Sequence, residues 1–203
     1  LAAQFIFPEF MSFKIGNKKD GKEITLIAEV KTQSPFGFKS SKSWDELFAL
    51  ACEAGDIISI HTDLRWGGSF ELLANARSKT NKSILAKGIH ADDELIEQAI
   101  KCGANYVLVV GRLPKNLPWQ DQLIIEPDTL ADLAQIPNNY RVVWNSRDLT
   151  TGGLKKETFA EAREIFPGWL CQASNIRTIA DVHPQADAVL VGEHLEEFIA
   201  SLK

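Results

Sequence analysis

The run Ile24-Thr25-Leu26-Ile27-Ala28-Glu29-Val30 is followed by Ser43-Trp44-Asp45-Glu46-Leu47-Phe48-Ala49-Leu50-Ala51 and then by Ile57-Ile58-Ser59-Ile60. The first and third segments are short, apolar and rich in β-branched residues. They lack strict alternation, as suits strands buried on both faces of a parallel sheet. The middle segment puts Trp44, Leu47, Phe48, Leu50 and Ala51 on one helical face, with Ser43 as N-cap and Gly55 just past its end. Together they read as one strand–helix–strand unit.

The unit repeats. Further apolar runs lie at Ser83–Ala86, Tyr106–Val110, Leu123–Ile125, Tyr140–Trp144, Trp169–Cys171 and Ala188–Val191, which makes eight. Helical spacing fills most of the gaps. Leu72, Leu73 and Ala76 follow Ser69, and Leu95, Ile96, Ala99 and Ile100 precede Gly103. Leu130–Leu133, Phe159–Phe166, Ile179–Val182 and Leu195–Leu202 come later. Between the fourth and fifth runs lies only Leu113–Trp119, where Pro114 and Pro118 forbid a normal helix. One helix of the eight is therefore expected to be a loop. Alternating strands and helices mean parallel strands with right-handed crossovers, and eight even units imply an α/β fold, a compact (β/α)8 TIM barrel. An open doubly wound sheet is the alternative, but no GxGxxG follows the first strand.

Composition agrees with one large core. Of 203 residues 45% are hydrophobic, and 9% aromatics with a net charge of only −5 exclude disorder as the dominant state. The acidic excess argues against a nucleic-acid partner, and no apolar run is long enough to span a membrane. Cys52, Cys102 and Cys171 form no CxxC and have no His at ligand spacing. They read as reduced thiols of a cytoplasmic protein, neither disulfides nor metal ligands. Residues 1–10 precede the only methionine, Met11, and lack a basic n-region. We expect a vector-derived leader before a single domain over 11–203. A native apolar segment that docks on the domain is the alternative.

In such a barrel the site lies at the C-terminal strand ends. Those ends carry Glu29 and Lys31, His61 and Asp63, Lys87, Arg112, Glu126, Asn145 and Arg147, Ser174, and Gly192-Glu193. Strand ends turn polar simply by emerging into water. Two lysines and two glutamates converging on one mouth ask for more than that. Lysine beside carboxylates serves as a general acid or as an anchor for an anion. Ser174-Asn175-Ile176-Arg177-Thr178 and Gly192-Glu193-His194 each read as a short turn opening a helix, where free backbone N–H groups attract phosphate.

Several motifs resemble one family in order and spacing. Glu29-Val30-Lys31-Thr32-Gln33-Ser34-Pro35 resembles the E-x-K-x-x-S-P signature of indole-3-glycerol phosphate synthase, the ring-closing lyase of tryptophan biosynthesis. Ile58–Asp63 with Trp66-Gly67-Gly68-Ser69 is similar to its second strand and aromatic-G-S loop. Ile84-Leu85-Ala86-Lys87 resembles the segment carrying its catalytic lysine, and Glu126 its fifth-strand glutamate. Asn145-Ser146-Arg147-Asp148-Leu149 resembles its N-N-R-D-L, and Val189–Glu193 its V-L-V-G-E. The resemblance covers roughly residues 24–200.

It implies that Lys87 is the general acid of ring closure, with Glu126 and Lys31 serving a later dehydration. Glu29, Asn145 and Arg147 would orient the substrate, Ser34 and Trp66 would line its pocket, and Ser174, Asn175, Gly192 and Glu193 would grip its phosphate. The implied substrate is a phosphosugar joined to anthranilate, 1-(2-carboxyphenylamino)-1-deoxyribulose 5-phosphate, with no metal and no organic cofactor. A monomer or weak oligomer is expected. Three departures stand out. The family's E-S-G is Ala173-Ser174-Asn175 here, its D-F after the lysine is Gly88-Ile89, and its helical N-terminal extension has no counterpart before Glu23. A barrel that binds a phosphate ligand without turnover, or acts on another phosphosugar, is therefore the alternative. His61, His90, His183 and His194 form no ligand set and read as solvated or hydrogen-bonded. Trp144, one place before Asn145, is expected to point outward beneath the helices.

Overall fold

The computed structural model describes residues 15–17 and 23–202. The expected leader at 1–10 lies outside them. The strands are β1 (Ile15–Asn17), β2 (Glu23–Val30), β3 (Ile57–His61), β4 (Ser83–Lys87), β5 (Tyr106–Val110), β6 (Leu123–Glu126), β7 (Arg141–Asn145), β8 (Trp169–Ala173) and β9 (Ala188–Val191). The helices are α1 (Trp44–Ala54), α2 (Phe70–Lys79), α3 (Asp93–Lys101), α4 (Leu130–Leu133), α5 (Phe159–Ile165) and α6 (Leu195–Ala200). Strands β2 to β9 pair in parallel in chain order, and β2 pairs back onto β9, so the sheet closes as a (β/α)8 barrel. The sequence reading left out β1, which pairs antiparallel with the start of β2.

Helix starts are encoded locally. Ser43 and Glu46 form a capping box at α1, as do Thr129 with Asp132 at α4 and Thr158 with Glu161 at α5. Ser69 and Asp92 cap α2 and α3 through one side-chain bond each. A cap satisfies N–H groups that a short helix otherwise leaves unpaired. The two-proline segment after β5 forms no α-helix, only a 3-10 turn at Gln120–Gln122. A second helix is also missing. Ile179–Val182 was expected to be helical but forms one 3-10 turn, Ile179–Asp181. Its Thr178/Asp181 box closes a single turn, and Pro184 follows too soon for another.

The closed end of the barrel is tied by one recurrent device. Asp56, Asn105 and Asp187 each stand one residue before a strand. Each accepts a backbone N–H from the preceding strand, at Leu26 (2.8 Å), Ile84 (2.9 Å) and Leu170 (2.9 Å). Their own N–H groups donate to the carbonyls of the same three residues. Strand beginnings are thereby satisfied without water.

Alternation along each strand sorts the core into two shells. Leu26, Ile58, Ile84 and Trp144 face the helices, while Ile27, Leu85, Leu108 and Val143 fill the barrel. Trp144 is fully buried under the helices, as expected. Fully burying each aliphatic side chain contributes about 1.5–3 kcal/mol before entropy is counted. The inward register carries Glu29, His61, Lys87, Glu126 and Asn145 to the open end.

Candidate active site

The mouth is divided into two lobes that share Lys87. One is lined by Glu29, Lys31, Lys87, Arg147, the turn at Ser174-Asn175 and the turn at Gly192-Glu193. The other is mostly apolar, with Trp66, Ile89, Leu108 and Val110 beside His61, Lys87, Glu126 and Asn145. Lys31 and Glu126, expected in one cavity, thus belong to adjacent lobes with Lys87 between them.

Glu29 is almost completely buried, and its Oε1 accepts from Lys87 Nζ at 2.9 Å. Burial works to raise its carboxyl, but Lys87, then His61 and Lys31, overcome that and hold it well below the ordinary carboxylate range. Burial likewise opposes the charge on Lys87, yet Glu29 and Glu126 raise its ammonium above the ordinary value. Lys31 goes the other way: burial, aided by the like charge of Lys87, outweighs Glu29 and Glu193 and lowers it. Glu126 is raised, because burial exceeds the partial relief from Lys87 and Asn145. Four charged groups within one mouth therefore titrate in four different environments, a common property of catalytic sites.

Asn145 links the two lobes. Its Nδ2 donates to Glu126 Oε1 at 2.8 Å, while its Oδ1 accepts from Ser174 Oγ at 2.7 Å and from the Arg147 backbone at 3.0 Å. Ser174 and Asn175 both have positive φ, 68° and 59°. Asn is among the residues that adopt that conformation most readily, so the turn is kept without the family's glycine.

Glu193 departs from expectation. Gripping phosphate through its backbone N–H asks its carboxylate to point away from the anion site. Instead Oε1 meets Lys31 Nζ at 2.7 Å and Oε2 meets Arg147 Nη2 at 3.1 Å. Two cations in a sheltered mouth draw in the nearest carboxylate. Neutralising it should release both, so we expect Glu193→Gln to bind inorganic phosphate about threefold to tenfold more tightly at low salt. Calorimetric titration at matched ionic strength checks this, and unchanged or weaker binding refutes it.

The remaining strand-end residues sort clearly. Ser34 lines neither lobe; its Oγ accepts from Phe36 N at 3.3 Å and shapes the loop after β2. That loop carries Phe36, which meets Trp66 edge-on at 6.4 Å and lies under the Arg147 guanidinium at 5.8 Å. Nothing in the sequence marked Phe36 for these contacts. Asp63 caps the Leu64–Trp66 turn, and Arg112 pairs with Asp93 at 2.7 Å, away from the mouth. His90 is buried and bonded to Thr62 and Leu108, His183 packs on Phe159, and His194 lies by Glu197.

His61 is not solvated. It is only 4% exposed, lines the apolar lobe and stacks on Trp66 with ring centroids 5.4 Å apart. Its Nε2 lies 2.8 Å from Glu29 Oε1, but at an angle too bent for a well-formed hydrogen bond, and Nδ1 has no partner among the described residues. The signal was its register, two places after Ser59 on the inward side.

Among the described residues no helix is long and apolar enough to cross a membrane, and no cluster of metal-binding side chains is found. Comparison with known proteins gives one consistent result. The family model for indole-3-glycerol phosphate synthase matches residues 4–121, beginning upstream of the first recognisable motif. An indole-3-glycerol phosphate synthase from a Geobacillus species is 30% identical, across 88% of this chain and 78% of that protein. One from Petrotoga mobilis is 27% identical across 85% and 79%, and one from Staphylococcus aureus 25% identical across 95% and 87%. On that match and the site it surrounds, the chain belongs to the indole-3-glycerol phosphate synthase family.

Proposed function

We propose that this protein closes the indole ring of 1-(2-carboxyphenylamino)-1-deoxyribulose 5-phosphate, releasing CO2 and water. The observation that carries the reading is the position of Lys87. Its ammonium sits where a cationic lobe meets an apolar one, and the substrate has an anionic phosphosugar half and an aromatic half. In this reading the anthranilate ring enters beside Trp66, Ile89 and Leu108. The phosphate lies by the turns at Ser174-Asn175 and Gly192-Glu193, near Lys31 and Arg147.

The ring carbon bearing the carboxylate attacks the ketone, and Lys87 donates a proton to the carbonyl oxygen as it becomes a hydroxyl. Loss of CO2 restores the aromatic ring. Lys31 then protonates the departing hydroxyl while Glu126 removes the proton whose loss completes the indole. Asn145 holds the Glu126 carboxylate, and Glu29 stabilises the Lys87 ammonium. Lys31, with its lowered affinity for a proton, gives one up more readily than an exposed lysine does.

Fluorescence of the indole product is the direct test. Product formation at a steady rate supports the reading. No product at high enzyme concentration, with phosphosugar still bound, would instead favour a binding barrel without turnover. Ala173 gives that second reading its basis, since it packs inside the barrel where the family carries a glutamate.

Glu126 supplies a pH test. A general base must be ionised, and burial raises this carboxyl above 4.5. The rate should therefore fall with decreasing pH through a midpoint above 4.5. An acid limb of kcat at or below that value would remove Glu126 from the role.

A further inference from the structure

Among the described residues, His61 is the one buried titratable side chain of the mouth that the reaction above leaves unused. It stands on β3, and the charged groups around it come from several elements. Glu29 lies on β2 and Lys31 just after it, Lys87 on β4, Asp63 after β3, and His90 after β4. Its ring cannot easily wander. Trp66 stacks on it nearly parallel, 3° between planes. The loop after β3 also folds directly back on it, because Gly68 lies so close to the His61 backbone that a side chain there would overlap it. Burial outweighs the nearby Glu29 and lowers the imidazole's affinity for a proton, which favours the neutral ring with one N–H.

The geometry around Glu29 Oε1 sets a problem for ring closure. Lys87 makes a well-formed bond to that oxygen at 2.9 Å. In protonating the substrate carbonyl, the ammonium becomes a neutral amine, and Glu29 loses the charged donor that now faces it. A buried carboxylate that loses its donor is costly, and that cost would hold Lys87 back. His61 Nε2 already stands 2.8 Å from the same oxygen, without a well-formed bond. We propose that His61 is a positioning residue for Lys87: its imidazole is the reserve donor that takes over Glu29 Oε1 when the ammonium protonates the substrate. Glu29 then stays satisfied throughout, and Lys87 is released without leaving a bare buried charge behind. The kinetic part of this inference rests on the ring-closing reading given above; the hydrogen-bond exchange does not.

Two experiments separate those parts. In Lys87→Met the ammonium is gone, so His61 should take over Glu29 with no ligand present. Nitrogen NMR of the labelled imidazole should show the Nε2 proton moving downfield and exchanging more slowly than in the parent protein. In turnover, His61→Leu should lower kcat about tenfold while KM stays within about twofold, since the effect is on the reacting state rather than on binding. His61→Gln, which keeps a side-chain N–H donor, should recover most of the loss. An unmoved Nε2 signal in Lys87→Met overturns the inference. Equal losses in the Leu and Gln variants overturn it too, because they would mean that the ring serves only packing. If the parent protein forms no indole product while the Nε2 signal moves as expected, the ring-closing reading falls and the exchange at Glu29 stands.

Discussion

Replacing Lys87 with methionine is expected to lower kcat by about 10³-fold, in the range general acid catalysis supplies, with KM changed by no more than about threefold. Methionine keeps the length of the side chain and its packing between the two lobes, but it has no proton to donate. The ammonium is buried against Glu29 at 2.9 Å and is raised above its ordinary affinity for a proton, so in the parent it is charged throughout the physiological range. Removing it also strips Glu29 of its main partner. A neutral His61 N–H replaces only part of that ion pair, so the variant should melt earlier as well as react more slowly. Lys87→Gln separates the two effects, because an amide still donates to Glu29 and restores stability without restoring acid catalysis. Steady-state fluorescence and thermal melts of both variants decide it. A kcat within tenfold of the parent in either one would remove Lys87 from the chemistry.

Gly192→Val is expected to reduce kcat/KM by more than about 10²-fold while leaving the barrel folded. The sequence suggests one reason for this glycine, close approach of a phosphate to the backbone. The structure adds another. A Cβ at position 192 would run into the carboxylate of Glu29, at Oε2. That group is the far end of a side chain, so it can be pushed aside without moving any strand, and the fold survives. Once displaced, however, Glu29 no longer holds Lys87 or faces His61, and the turn to Glu193 is crowded at the same time. Gly192→Ala introduces the same first carbon and should show most of the loss. Circular dichroism and melting would establish the fold, and calorimetry with inorganic phosphate would report the anion site. Normal phosphate affinity in the valine variant would refute the placement of phosphate at this turn. Unimpaired turnover would show that Glu29 is dispensable where it stands.

Much of this site was legible before any coordinate. Glu29, Lys31, Lys87, Glu126, Asn145 and Arg147 follow apolar runs that can be read as strands, and a barrel sends such positions to one end. All eight strands of the barrel, the N-caps at Ser43 and Ser69, and the missing helix after Tyr106–Val110 come from signals only a few residues long. Apolar runs, capping side chains and proline act through neighbours in the chain, so their effects are written where they occur.

Other features depend on residues far apart in sequence. Glu193 turns toward Lys31 across 162 positions, and Lys87 reaches Glu29 across 58. No local pattern specifies the direction of a long polar side chain; the field of charges that folding brings together does. The same holds for His61, whose spacing from other histidines suggested nothing, and whose place beside Glu29 follows only from the pairing of β2 with β3. The division of the mouth into a cationic and an apolar lobe, with Lys87 shared between them, likewise arises from the closure of β2 onto β9. The sequence by itself determined the elements and the set of chemical groups at their ends. Which group faces which was settled by packing and electrostatics between strands, because those interactions exist only once the barrel has closed.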